Sequence, residues 1–365
     1  MATMQTPRKP EDITTEWLNA AFKEGNAVPS ASVTDFSVED IGEGAGFTAT
    51  VVRIYLTFDR SHPDLPASCI IKIPSVDPAV REQAISADLF GRENTFYSNY
   101  SSNGPGRPPQ HYFSVVDRDN DDFILVMEDL GHARFVKQLE STNPEDALAV
   151  VRTLGKINAH HCETETLKSM SWLPTFPVLS NQFISSYAEG TPLLLQNFGD
   201  FIPADFQAAM NAGTKAHLPI SKFLMTRPNS LVHGDARIEN IAFEAGGGPE
   251  SVRIFDWAGA LRGPAIYDLT YFIAGSLDTD LRRSMESDIL EAYYAEMLEG
   301  GVQNFSMDDL KENMRICSTL FFGFLSYVGK LVPPTEAGRA VMKSIVPPMI
   351  ELMRDYDAIE TLKNF

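Results

Sequence analysis

The stretch LVHGDARIEN at positions 231–240, followed by IFDW at 254–257, constrains this chain more than any other feature. It places an aspartate at 235, an asparagine five residues later at 240 and a second aspartate sixteen residues beyond that at 256. Phosphoryl transfer from a nucleotide uses such a set: one carboxylate orients and deprotonates an attacking hydroxyl, and an Asn and an Asp hold Mg²⁺ on the phosphates. The spacing is that of an H-x-D-x-x-x-x-N loop followed by a metal-binding Asp on a strand. It assigns Asp235 as the base and Asn240 and Asp256 as metal ligands. His-Gly-Asp is also a common turn tripeptide, because Asp and Asn hydrogen-bond their own backbone. The flanks carry the motif beyond that. Apolar Leu231-Val232 leads in, Ile241-Ala-Phe243 leads out, and Val252-Arg-Ile-Phe255 precedes the second Asp. This pattern predicts a loop between strands and then a hairpin turning at 244–249.

A chain of 365 residues exceeds one ordinary core, so two lobes are expected, residues 1–130 and 131–365. The net charge of −19 argues against a nucleic-acid partner, since phosphate backbones need Lys and Arg surfaces. Three scattered cysteines, Cys69, Cys162 and Cys317, fit a reducing cytosol with no disulfide framework. The first ten residues carry no apolar segment of a signal peptide, and the longest apolar run, at 320–325, is too short to span a bilayer. The expectation is a cytoplasmic protein. His160-His161-Cys162 does not make a metal site, because neighbours on a helix point apart and no second cluster completes it.

Upstream of the motif the chain reads as β-rich. A short helix at 16–23 precedes strand-like runs from Val33 and over 47–58. Between them Gly42, Gly44 and Gly46 permit a tight turn whose backbone can approach a phosphate; a plain glycine-rich hairpin reads equally well. The strand at 68–74 carries Lys72 in its middle, costly in a buried strand unless it is paired or binds an anion. In kinases such a Lys holds nucleotide phosphates and pairs with a Glu on the next helix. The helical stretch 80–100 offers Glu93, whose neighbours Phe90, Phe96 and Tyr97 turn that face inward, with Glu82 as the alternative. Strands at 111–117 and 123–128 end in an acidic connector, the position of a hinge between a β-rich and a helical lobe. There Met127 would line the back of an adenine pocket, and Glu128 and Leu130 would offer a carbonyl and an amide.

The second half reads as mostly helical, starting at 144–163 behind an Asn143-Pro144 cap signal. Residues 171–228 look less regular and are rich in aromatics, including Phe183 and Tyr187, which form either an acceptor-side wall or core. Helices are expected at 266–277, 284–299, 307–328 and 337–352.

Taken together, Ile71-Lys72, Glu93 with Phe96-Tyr97, VMEDL at 126–130, HGDARIEN at 233–240, FDW at 255–257 and GPAIYDL at 263–269 resemble the aminoglycoside phosphotransferase and choline-kinase-like superfamily, including its ecdysteroid-kinase-like branches. The resemblance spans roughly residues 35–330. It implies an α+β, bilobal protein-kinase-like fold with a small β-rich N-lobe and a large helical C-lobe. It further implies transfer of the γ-phosphate of ATP, with Mg²⁺, to a small-molecule hydroxyl. Asp268 would buttress the catalytic loop, and Arg237 would neutralise the transferring phosphoryl. Asn158 stands where many relatives carry a His, which bears on the packing of its helix and not on the chemistry.

Two other readings are open. A protein kinase needs a long activation segment, yet only seven residues separate Asp256 from Pro264. A nucleotide-binding pseudokinase or scaffold would be favoured by loss of Lys72, Asp235, Asn240 or Asp256, and all four are present. The acceptor is not legible, because acceptor contacts come from loops and helices without a transferable pattern.

Overall fold

The computed structural model describes residues 5–28, 30–42, 49–100, 102–140 and 142–365. Gly44 and Gly46 lie outside the described residues. The chain groups into two compact units: Met1–Arg134 with Arg253–Gly259, and Phe135–Val252 with Ala260–Phe365. The class is α+β, with a sheet-based N-terminal region and a helical C-terminal region.

In the first unit, strands β1 (Val33–Asp40), β2 (Ala49–Phe58), β3 (Ser68–Pro74), β4 (His111–Asp117) and β5 (Asp122–Glu128) form an antiparallel sheet in the order β1-β2-β3-β5-β4. Alternation along β3 sets its two faces. Cys69, Ile71 and Ile73 join Ile124, Val126 and the Trp17, Leu18, Ala21 and Phe22 stripe of helix α1 (Thr15–Glu24) in one core. Ile70 and Lys72 fall on the opposite face, where the register sets them beside Met127 and Leu125. Met127 and Lys72 therefore share a face of the sheet.

The helix expected over 80–100 is two helices, α2 (Pro78–Ser86) and α3 (Leu89–Asn99). The chain breaks at Asp88, which adopts a left-handed conformation with φ +51°. Arg118 grips both oxygens of the Asp88 carboxylate at 3.0 Å. Gly91 leaves room for that pair, since a Cβ there would stand 2.1 Å from Asp88 Oδ1. Local side-chain bonding to an aspartate thus ends one helix and turns the next.

In the second unit the helices are α4 (Pro144–His161), α5 (Glu165–Ser169), α6 (Phe176–Phe198), α7 (Ala204–Leu224), α8 (Ile266–Gly275), α9 (Thr279–Glu299), α10 (Met307–Ser318), α11 (Phe321–Leu331), α12 (Glu336–Asp355) and α13 (Ala358–Thr361). The segment 171–228, expected to be less regular than its neighbours, is dominated by two long helices, each with a proline inside: Pro192 in α6 and Pro219 in α7. The expected helix 307–328 is likewise two, α10 and α11, parted at Thr319-Leu320. Asn143 caps α4 by accepting the Asp146 N–H at 2.9 Å. Asn158, fully buried on α4, donates to the Leu231 carbonyl and accepts the Tyr293 hydroxyl of α9 at 2.8 Å. The asparagine thereby holds α4 against both α9 and the strand Asn229–Val232 that leads into the 233–240 loop. That strand pairs antiparallel with Leu261–Pro264. Among the described residues, no helix is long and apolar enough to cross a membrane.

Candidate active site

In the first unit the Lys72 ammonium lies 2.6 Å from Glu93 Oε1 and 3.1 Å from Asp256 Oδ1. Glu93 of α3 is thus the partner of Lys72, while the alternative, Glu82, is exposed on α2. Burial works against the lysine charge, but the carboxylates of Asp256 and Glu93 outweigh it and hold the ammonium pKa above that of a free lysine. Burial pushes the Glu93 carboxyl up, against the pull of Lys72.

Helix α3 holds Asp256 at more points than this. The Asp256 N–H donates to the Tyr97 hydroxyl at 3.2 Å, and Trp257 stacks on Phe96 with ring centroids 4.0 Å apart. Asp256 has φ +64°, a left-handed conformation that L-residues other than Asn and Asp seldom take. A backbone so placed needs such fixing. Residue Glu128 is tied by its side chain to Arg253, three positions before Asp256, at 2.6 Å. Met127 and Leu130 are buried, and the Leu130 carbonyl accepts the Ala133 N–H. The Gly42 N–H donates to Asp40 Oδ1 at 2.9 Å.

In the second unit the loop 233–240 is held mainly by α8. Buried Asp268 accepts the His233 N–H at 2.7 Å and the Gly234 N–H at 3.0 Å. Burial raises the Asp268 carboxyl, opposed by His233 and these two amides. One turn later, the Tyr271 hydroxyl donates to Asp235 Oδ1 at 2.8 Å. Asn240 Nδ2 donates to the Asp235 carbonyl at 2.8 Å and to Asp235 Oδ2 at 3.1 Å. Both partners are acceptors, so the amide is oriented and its oxygen is turned away from Asp235. Arg237 stands between carboxylates, 3.5 Å from Asp235 Oδ2 and 3.2 Å from Glu239 Oε2. Glu239 also accepts the Gln138 N–H, and the Ile238 N–H reaches Ser276 Oγ at 3.0 Å.

Each unit therefore assembles its own share of the expected residues: Lys72, Glu93 and Asp256 in one, Asp235, Arg237 and Asn240 in the other. The family model for ecdysteroid kinase-like proteins matches residues 43–303, well over half the sequence and inclusive of every one of these positions. The chain belongs to the ecdysteroid kinase-like family. No curated protein matches it in sequence. Its fold is kinase-like, similar to that of wild-type aminoglycoside 2′-phosphotransferase-IIIa in its GDP complex. The two share 12% identity with a TM-score of 0.52 over 97% of this chain and 100% of that one. Choline kinase from Cryptosporidium parvum Iowa II is similar at 9% identity and a TM-score of 0.53, over 89% of each chain.

The polar contacts of Tyr271, Tyr97 and Arg253 are not legible in the sequence, where Tyr97 reads only as an inward-facing aromatic beside Glu93. Aromatic residues on apolar helices read as core, and nothing in the spacing says that a phenol reaches a carboxylate. For Tyr271 one signal was present: it lies three residues after Asp268, which on a helix puts both side chains on one face. The aromatics of 171–228 pack as core to different degrees. Tyr187 is buried against His217, whereas Phe183 is half-buried beside Tyr327.

Proposed function

We propose that this protein transfers the γ-phosphate of ATP to a hydroxyl of a small molecule. The observation that carries the reading is the Asp235 carboxylate, part-exposed and oriented through both oxygens by Tyr271 and Asn240. A base so oriented, carried by an ecdysteroid kinase-like chain, suits an attacking alcohol. In the proposed step the acceptor O–H gives its proton to Asp235 as its oxygen bonds to the γ-phosphorus. The bond from that phosphorus to the β,γ-bridging oxygen breaks, and ADP leaves. Arg237 would neutralise charge on the transferring group. Lys72, kept cationic by Glu93, would hold the nucleotide phosphates, with Gly42, Gly44 and Gly46 covering them and Met127, Glu128 and Leu130 serving the base.

The kinase-like neighbour in complex with GDP supports nucleotide binding of this kind. Asn240 and Asp256 would hold Mg²⁺. Their oxygens are hard donors that suit it, and the oriented Asn240 amide has its oxygen turned away from Asp235. When bound, the ion would screen charge on the phosphates. A small acceptor is favoured over a protein because Leu261–Pro264 and α8 follow Asp256 so closely.

The test is ADP release by the purified protein against a panel of hydroxylated metabolites and aminoglycosides. At least one compound should stimulate release. Asp235→Asn, which cannot take the proton, should lower turnover by about 10²–10⁴-fold with the KM for ATP unchanged. Nucleotide binding without transfer to any acceptor or to water would instead mark a pseudokinase, and phosphorylation confined to proteins would overturn the small-molecule reading.

A further inference from the structure

One helix, α8, meets the 233–240 loop at three successive places. Asp268 takes the amides of His233 and Gly234, Tyr271 reaches the Asp235 carboxylate, and Ser276 just beyond the helix takes the Ile238 amide. The first and last contacts are to backbone and shape the loop. The Tyr271 contact alone touches the reacting carboxylate. A carboxylate presents two lone-pair positions on each oxygen. At Asp235, Oδ2 faces both Asn240 Nδ2 and the Arg237 guanidinium, while among the described residues Oδ1 receives only the Tyr271 hydroxyl. The Tyr271 ring is itself fixed, stacked on Tyr267 at 6.0 Å and met edge-on by Phe324 at 5.2 Å. Burial first, and then the Asp235 charge, raise the phenol pKa well above its ordinary value, so the hydroxyl stays a donor and does not ionise.

We infer that Tyr271 is a positioning residue that fixes the Asp235 carboxylate so that Oδ1 is the atom receiving the acceptor's proton. The inference rests on the proposed role of Asp235 and adds the atom and the residue that aims it. Without the phenol the carboxylate is held only at Oδ2, by Asn240 and Arg237, and Oδ1 loses its fixed direction. The ATP-facing groups of the other unit are untouched by that change.

The test is Tyr271→Phe, which keeps the ring and removes one oxygen. It is measured in the whole chain by ADP release with water as the acceptor, and again with any stimulating compound from the panel. Misaimed reacting groups cost on the order of 100-fold, so kcat should fall on the order of 10-fold to 100-fold while the KM for ATP and Tm stay close to wild type. Repeating the change in the Asp235→Asn background separates aim from packing. If Tyr271 acts through Asp235, the second substitution should cost less than about 3-fold further, because residues acting as a unit are not additive. An equal additional loss in that background, or a wild-type kcat in the single variant, overturns the inference while leaving the kinase reading standing. A fall in activity matched by a fall in folded protein also overturns it. Absence of any ADP release from the wild-type chain overturns both together.

Discussion

At Asp256 a single residue combines an uncommon backbone with three kinds of support: a charge contact to Lys72, a backbone bond to Tyr97 and the stacking of the next residue, Trp257, on Phe96. If Asp256 is a magnesium ligand, Mg²⁺ with ATP should raise Tm beyond ATP alone, since a ligand of the folded state stabilises by mass action. Asp256→Ala should abolish the Mg²⁺-dependent part of that rise. A metal-dependent shift that survives in the variant rejects the residue as a ligand. Asp235, Asn240, Asp256 and Lys72 stand out as candidates in the chain because the proposed chemistry needs particular residue types at particular spacings. Tyr271 does not, because a phenol that bonds a carboxylate and a phenol that fills a core look identical in one sequence.

Secondary-structure elements were legible where a cap signal or a short β-rich run marked them, as in α4 behind Asn143 and in β3 around Lys72. They were missed where a residue that normally breaks a helix sits inside one. Pro192 and Pro219 hid α6 and α7, and the Asp88 break was invisible because it depends on Arg118, thirty residues away in sequence. Helix α6 packs on α11 through small residues. Gly190 approaches so closely that a Cβ would lie 2.0 Å from the Ser326 carbonyl oxygen, and the Thr191 and Ser326 hydroxyls bond at 2.9 Å. Gly190→Ala must push the backbones apart, and overpacking of this kind costs about 1–3 kcal/mol. Thermal denaturation should show a Tm several degrees lower. Because Phe183 and Tyr187 ride on α6, any change in the KM of a panel acceptor in this variant, with the KM for ATP constant, would place that helix beside the acceptor. An unchanged Tm would show that α11 yields at no cost, contrary to the close packing.

Across the whole molecule the composition is acidic, yet part of the pH response below neutrality should come from two buried histidines, His217 and His161, neither of which belongs to the 231–257 motif. His217 on α7 is buried between the rings of Tyr187, at 4.7 Å, and Phe176, at 6.1 Å, and burial lowers its pKa from the ordinary 6.5 to about 3. His161, buried at the end of α4 beside His160, is lowered to about 4 by burial and then by its neighbour. Between the ordinary value and these, the unfolded chain binds protons that the folded chain refuses. Stability is then fully present above about pH 6.5 and is lost progressively as pH falls toward 4 and 3. Glu93 works in the opposite sense. Its carboxyl is pushed up by burial, so the folded form holds that proton more tightly and gains stability on mild acidification. The net Tm profile therefore mixes both signs, and a difference measurement isolates one. His217→Phe keeps a flat ring in the same aromatic setting and removes the titrating group. From pH 7.5 to pH 5 the Tm of the wild type should fall further than that of His217→Phe, and the gap should widen with acid. Parallel profiles would mean that His217 takes up its proton in the folded state as readily as in the unfolded one, which its enclosure by Tyr187, Phe176 and the close backbone of Gly323 forbids.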